Sequence, residues 1–463
     1  MSRKRSSQQS SVDIKSSKHP KHDNGIVHSL NMSVRKLGIS STLKINEKSN
    51  LLIDQGHKIY KLGLGQSPFP VYPSVVQALK DNAHQKNYLP VKGLPALREA
   101  VARFHQIQDD VDIDPENVII GPGSKELLFL LQLTYYGEII VPSPAWVTYI
   151  PQANIIGRTI QIVHTTFTEN WRIYPDALKE ILENEEDVDR PRLLMLNYPG
   201  NPDGGTYSES ELREIALVAK DYGILILSDE IYGKLNHKNE HVSIAKFYPE
   251  GTIISSGLSK WAGAGGWRLG TFSFPHELKW LMNGIASVAS ETYTSVSAPI
   301  QYAAVKAFEF DENIELYVRH CQRILSSIGQ QSANTLKIAG IRVQDPQGAF
   351  YLFPDFSDFY DRFVEKRIRS SSVMVDRLLK ETGVACLPGV NFGRPSIELT
   401  ARLAYVNFDG AKALEASNEI GLNKKLPNDF GDTYAPETLT AMRKISQWII
   451  EEIKSKVKYE PLS

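Results

Sequence analysis

The sequence predicts an α/β protein whose mostly parallel sheet is covered by helices on both faces, and three observations lead there. Short β-rich apolar runs alternate with amphipathic helical patterns from residue 31 onward, the arrangement that builds parallel sheets by crossover connections. The 463 residues, 42% hydrophobic and 23% charged, can bury a large core and leave room for more than one domain. The most polar and glycine-rich stretches fall just after predicted strands, where ligands bind in such sheets.

The elements follow in order. VVQALKDNAHQ and GLPALREAVARFHQ carry apolar residues at helical spacing, SKELLFLLQL reads as a buried helix, and EIIV as a strand. RLLML is the next strand, and a helix then opens at Ser208 with Glu211 in capping-box spacing. ILIL is a strand running into Ser228 and Asp229. TIISS, RLGTFSF and the helical HELKWLMNGIASVA complete the pattern. The segment 418–437, NEIGLNKKLPNDFGDTYAPE, reads as a surface loop before the last helix.

Composition excludes several classes of function. A formal net charge of -1 gives no global basic field for nucleic acid or an anionic membrane. Cys321 and Cys386 stand far apart in no metal-type spacing, which argues against a disulfide framework or zinc site and for a reducing, cytoplasmic setting. No apolar run reaches the ~20 residues of a membrane span, and residues 1–31, rich in Ser, Lys and His, read as a disordered tail.

Chemistry concentrates at the strand ends. GPGSKELLF places Gly123, Ser124 and Lys125 at a helix start, where free N–H groups hold an anion such as phosphate. It lacks the spacing of a Walker motif, and LGLGQSPFP lacks the third glycine of a dinucleotide-binding fingerprint. Asp229 should emerge where its strand leaves the core. Lys260 sits among Gly257, Gly263, Gly265 and Gly266, which allow close backbone approach, and a desolvated lysine there forms Schiff bases. Gly257 occupies the position three before Lys260, so the serine of a Ser-x-x-Lys hydrolase is missing.

GLSKWAGAGGWRLG, residues 257–270, resembles the lysine signature of the class I/II pyridoxal-phosphate aminotransferases, the aspartate aminotransferase-like enzymes of fold type I. NYPGNPDGG, SDEIYGKL, YLPVKGLPALREAV, GAFYLFP, PGVNFG and ARLAYVNF resemble the other landmarks of that family in the same order, so the likeness spans about residues 32–460. The resemblance implies a large cofactor domain at 75–325 with a seven-stranded-type sheet. A smaller α/β domain would come from both chain ends, 32–74 and 326–463.

Carried over residue by residue, the resemblance implies the following site. Lys260 would hold the aldehyde of pyridoxal 5'-phosphate and then serve as general base and acid. Asp229 would keep the pyridine nitrogen protonated, and Asn201 and Tyr232 would bond the ring's phenolic oxygen. Gly123, Ser124, Lys125, Ser259 and Arg268 would gather at the phosphate, with Trp146 on the ring face. Arg402 would clamp the substrate α-carboxylate, assisted by Gly65 and Asn201, and Tyr88 would reach the cofactor of a second subunit, implying a homodimer with shared sites. The implied reaction moves an α-amino group from an L-amino acid to a 2-oxo acid, 2-oxoglutarate, by a ping-pong route. Alternatives are a transaminase for aromatic or neutral amino acids and a lyase or synthase like the aminocyclopropane-carboxylate synthases. A DNA-binding regulator is disfavoured, because about 30 polar residues cannot build a winged helix.

Departures from the family pattern mark two open questions. Gly257 replaces a common phosphate-binding serine, with Ser255 or Ser259 as substitutes, and Asp203 stands where threonine is usual. ETYTSVSAP lacks the arginine of animal-type aspartate enzymes, whereas Lys125 matches a lysine that bacterial-type enzymes place near a distal carboxylate. The balance tilts slightly toward acidic substrates.

Overall fold

Seven strands form one sheet: β1 (Val118–Gly121), β2 (Glu138–Ser143), β3 (Ile160–His164), β4 (Arg192–Asn197), β5 (Leu225–Asp229), β6 (Thr252–Gly257) and β7 (Gly270–Ser273). Their spatial order is β1-β7-β6-β5-β4-β2-β3, and only β7 runs antiparallel to its neighbours. This computed structural model describes residues 30–35, 37–183 and 190–453. Most of the predicted tail therefore lies outside the described residues. Contact clustering separates residues 1–37 from 38–463. In the first unit the described residues form a turn closed by Val34 and Arg35 N–H donating to Asn31 O.

Sheet residues such as Ile140, Leu194, Ile226 and Ile253 are fully buried, as expected for strands covered on both faces. The helix at Glu209–Asp221 starts where sequence placed it, with the Ser208–Glu211 capping box formed in both directions. The buried helix read at SKELLFLLQL runs Ser124–Thr134, with Gly123 as its N-cap. Sequence patterns overextended two elements. RLGTFSF is strand only at Gly270–Ser273, and the HEL of the following segment is a short 3-10 turn before the α-helix Lys279–Glu291. They also left β1 and β3 unassigned.

Beyond the large sheet, Tyr351–Leu352, Leu387–Pro388 and Ala401–Ala404 form a three-stranded antiparallel sheet, and Tyr60–Lys61 pairs in parallel with Val384–Ala385. The 27-residue helix Glu312–Ile338 begins at Asp311, whose carboxylate accepts from Asn313 and Ile314 N–H.

Segment 418–437 is the predicted surface loop over 421–429, which is non-helical and has no buried residue, but its two ends are helical. It starts in the helix Gly410–Ile420, makes a helical turn at Phe430–Tyr434 and buries Phe430 to 1% exposure. Arg323 ties it down by donating to Ser417 Oγ, Gly421 O and Lys424 O. The loop's carbonyls at Gly421 and Lys424 are thus satisfied by one arginine from a distant helix.

Candidate active site

A cavity of about 500 Å³ opens at the carboxyl ends of β4, β5 and β6, within the range of small-ligand pockets. Lys260 and Asp229 line it, as do Gly65, Ser124, Lys125, Trp146, Asn201, Tyr232, Ser259, Arg268 and Arg402. The fold therefore brings together all but two of the residues singled out from sequence. Gly123 lies just behind the wall as the helix N-cap. Tyr88 does not reach the cavity of its own chain and is 89% exposed.

At the centre, Lys260 Nζ donates to Gly65 O at 2.8 Å and lies 5.4 Å from the Tyr232 ring centroid. Burial, aided by the Arg402 charge, lowers its pKa from 10.5 to about 7, opposed by Asp229. The amine is thus substantially neutral at physiological pH and available as a nucleophile. Gly65, expected at a substrate carboxylate, presents its carbonyl to this lysine.

Asp229 ends β5. Tyr149 OH donates to its Oδ2 at 2.6 Å, Ser255 Oγ donates to Oδ1 at 3.2 Å, and burial pushes its pKa upward against those bonds. Ser255 is thereby occupied and does not replace the absent serine at 257. Sequence reasoning gives Tyr149 no role, because its place against Asp229 depends on packing between residues 80 positions apart. Asn197 Nδ2 donates to Asp229 O, and Asn201 N–H donates to Asn197 Oδ1, both at 2.8 Å.

One end of the cavity is suited to a phosphate. The helix at Ser124 offers N–H groups without intrahelical partners, and Gly123, at φ +93°, has no room for a Cβ because the Arg268 guanidinium lies within 2.2 Å of where it would stand. Gly270 has the same property toward Ser124 N, at 2.1 Å. Arg268 adopts a left-handed backbone, φ 55°, and donates to Gly265 O and Pro122 O. Gly257 has φ +154° and would put a Cβ 2.7 Å from Leu269 O, so a serine does not fit in this backbone. Lys125 Nζ lies 5.3 Å over the Trp146 ring, and burial with the Arg268 charge lowers its pKa.

The other end is built around Arg402, 1% exposed. Its Nη1 donates to Asn201 Oδ1 at 3.1 Å and its Nη2 to Gly63 O, while Nε is buried without a partner. The guanidinium lies 4.7 Å from the Tyr351 ring centroid and 5.2 Å from that of Phe392. Tyr351 OH meets Tyr232 OH at 2.7 Å. Sequence reasoning quoted the segments holding Tyr351 and Phe392 without assigning either a role.

The residues present fit a planar group bearing a phosphate, an aldehyde and a ring nitrogen. An anion cradle stands at one end, a neutral amine at the centre and a buried carboxylate on the far wall. The orphaned Arg402 Nε adds unused donor capacity for a carboxylate beside it.

The profile described as "Aminotransferase class I and II" matches residues 57–407. The aspartate aminotransferase of Geobacillus stearothermophilus is 33% identical over 398 residues, covering 83% of this chain and 96% of that protein. That of Bacillus sp. (strain YM-2) is 32% identical over 80% of this chain and 93% of its own. Among solved structures, aspartate aminotransferase from Thermus thermophilus with maleate superposes with a TM-score of 0.75 at 28% identity, covering 85% of this chain and 98% of that one.

Proposed function

Because the chain belongs to the class I and II aminotransferases and is a pyridoxal-phosphate-dependent transaminase, we propose that it exchanges α-amino groups between an acidic L-amino acid and 2-oxoglutarate in a ping-pong sequence. The observation that carries this reading is the near-neutral Lys260 amine beside a buried Asp229, between an anion cradle and a buried arginine. When bound, the pyridoxal ring supplies an aldehyde that exchanges amines and an electron sink for the α-carbon.

Each residue then has a physical task. Lys260 Nζ holds the cofactor and, once released, takes the substrate α-proton and returns it. Asp229, fixed by Tyr149 and Ser255, stabilises a protonated ring nitrogen. Tyr232 and Asn201 serve the phenolic oxygen. Ser124, Ser259, Lys125 and Arg268 surround the phosphate, and Trp146 covers the ring. Arg402 binds the α-carboxylate bidentately, a geometry that lysine does not reproduce.

The preference for acidic substrates is supported by Lys125 and by Ser40 and Thr42, which line the same cavity. The similar Thermus thermophilus aspartate aminotransferase was solved with maleate, a dicarboxylate. A homodimer is the assembly in which the exposed Tyr88 acquires a partner. The division into a large domain at 75–325 and a small one from 32–74 and 326–463 is supported by pairing of Tyr60–Lys61 with Val384–Ala385.

A panel of amino donors assayed against 2-oxoglutarate, with Lys260→Ala in parallel, tests the proposal. Glutamate should form fastest from aspartate, and Lys260→Ala should lose turnover. Release of ammonia or a cyclic product without amino transfer would establish the lyase or synthase alternative, and faster transfer from phenylalanine or tyrosine would establish an aromatic transaminase.

A further inference from the structure

The end of β5 carries two consecutive buried carboxylates, and only the first lines the cavity. Glu230, 6% exposed, collects donors from three segments. Its Oε1 accepts from Ser243 Oγ at 2.6 Å, Ser228 Oγ at 2.7 Å and Tyr198 OH at 3.4 Å, and its Oε2 faces His241 Nε2 at 2.8 Å. The His241 ring tilts against Tyr198 at 5.3 Å, and His241 Nδ1 is buried without a partner. That orphaned nitrogen fixes the tautomer. A proton on Nε2 reaches the carboxylate, whereas a proton on Nδ1 meets no acceptor.

These partners lie on the segments that carry the site. Tyr198 belongs to Asn197–Asn201, whose Asn197 holds Asp229 O. The Glu230 N–H donates to Ser255 O at 2.9 Å, which registers β5 against the strand that supplies Ser255 to Asp229. Gly233 N–H donates to Glu230 O at 2.8 Å, closing the turn that presents Tyr232. We infer that Glu230, with His241 as its donor, is a positioning residue: its buried carboxylate ties Tyr198, and with it the Asn197–Asn201 segment, to the end of β5 that carries Asp229, while its backbone joins Ser255 and closes the Tyr232 turn. The inference rests on the reading of the cavity as the cofactor and substrate site. Displacements of about 1 Å at such groups cost about 10²-fold in rate.

Glu230→Gln keeps the shape but turns an N–H toward His241 Nε2, forcing the imidazole proton onto the orphaned Nδ1. His241→Leu removes the donor, and His241→Gln restores an N–H at the same reach. The measurements are pyridoxal phosphate binding to the apoprotein, followed by tryptophan fluorescence, together with kcat, KM and thermal midpoint. Glu230→Gln and His241→Leu should each weaken cofactor binding and lower kcat about tenfold with little change in KM, and His241→Gln should recover most of the loss. A lower thermal midpoint with cofactor affinity and kcat at wild-type values would overturn the inference, as would equal impairment of His241→Gln and His241→Leu. If Glu230→Gln does not fold, the two His241 variants decide. Failure of the wild-type apoprotein to bind pyridoxal phosphate would instead overturn the reading of the cavity.

Discussion

The two ends of the cavity solve the same problem, holding an anion, with opposite materials. The phosphate end uses backbone: a helix start at Ser124, glycines at 123 and 270 that admit neighbours where a Cβ would collide, and the exposed Arg268. The carboxylate end uses side chains. Arg402 is buried, bonds Asn201 and Gly63, and lies against Tyr351 and Phe392. An exposed arginine works beside solvent and helix N–H groups, whereas a buried one depends on a complete set of protein partners. The same substitution should therefore cost different amounts at the two ends.

The largest effect separates them directly. Arg402→Lys should lower kcat/KM for amino acids about 10²- to 10³-fold, equivalent to about 3–4 kcal/mol. An ammonium cannot serve Asn201, Gly63 and a bidentate carboxylate together. Arg268→Lys should raise the cofactor dissociation constant only several-fold, because the helix start remains. Steady-state kinetics and cofactor titration measure the two losses. Comparable losses at both positions would break the contrast.

The second effect lies between the ends. With a pKa of about 7, Lys260 falls from about half neutral amine at pH 7 to about a tenth at pH 6, so capture of pyridoxal phosphate by the apoprotein should slow about fivefold over that unit. The same shift enters stability. Between about 7 and 10.5 the unfolded lysine is protonated and the folded one is not, so the apoprotein should gain stability as pH rises through that window. Lys260→Met should abolish both dependences, read by stopped-flow absorbance and by thermal midpoints against pH.

The contrast also explains what could be read from sequence. The phosphate end is local: Gly123 to Lys125 and Lys260 to Gly270 are short runs whose glycines announce close approach. Alternation of strands and helices was similarly legible, as was the strand end at Asp229. Tyr149, Tyr351 and Phe392 were not legible, because each acts through packing against residues far away in the chain. Arg402 reaches Gly63 across 339 positions. Neither periodicity nor spacing encodes such a contact, and only the resemblance pointed to Arg402. The helical turn Phe430–Tyr434 inside the loop 418–437 went unread for the same reason, since Phe430 is buried by packing that no local spacing announces.

The smallest effect concerns Gly257, the letter that departs from the family's serine. The resemblance leaves its consequence for phosphate binding open. The structure argues against a serine there. Gly257 pairs with Gly270 in the β6–β7 ladder, and a Cβ there would lie 2.7 Å from Leu269 O and 2.9 Å from Gly270 Cα. Both are backbone atoms, so relief requires parting the two strands, and Gly270 in turn abuts Ser124 N at the helix start. Gly257→Ser should therefore destabilise the protein by about 1–3 kcal/mol and weaken cofactor binding slightly, because the strand shift is passed on to Ser124. Thermal unfolding and cofactor titration of this one variant sharpen the comparison. Tighter binding at unchanged stability would mean that the phosphate end, like the carboxylate end, was waiting for a side chain, and its description as a backbone site would fall.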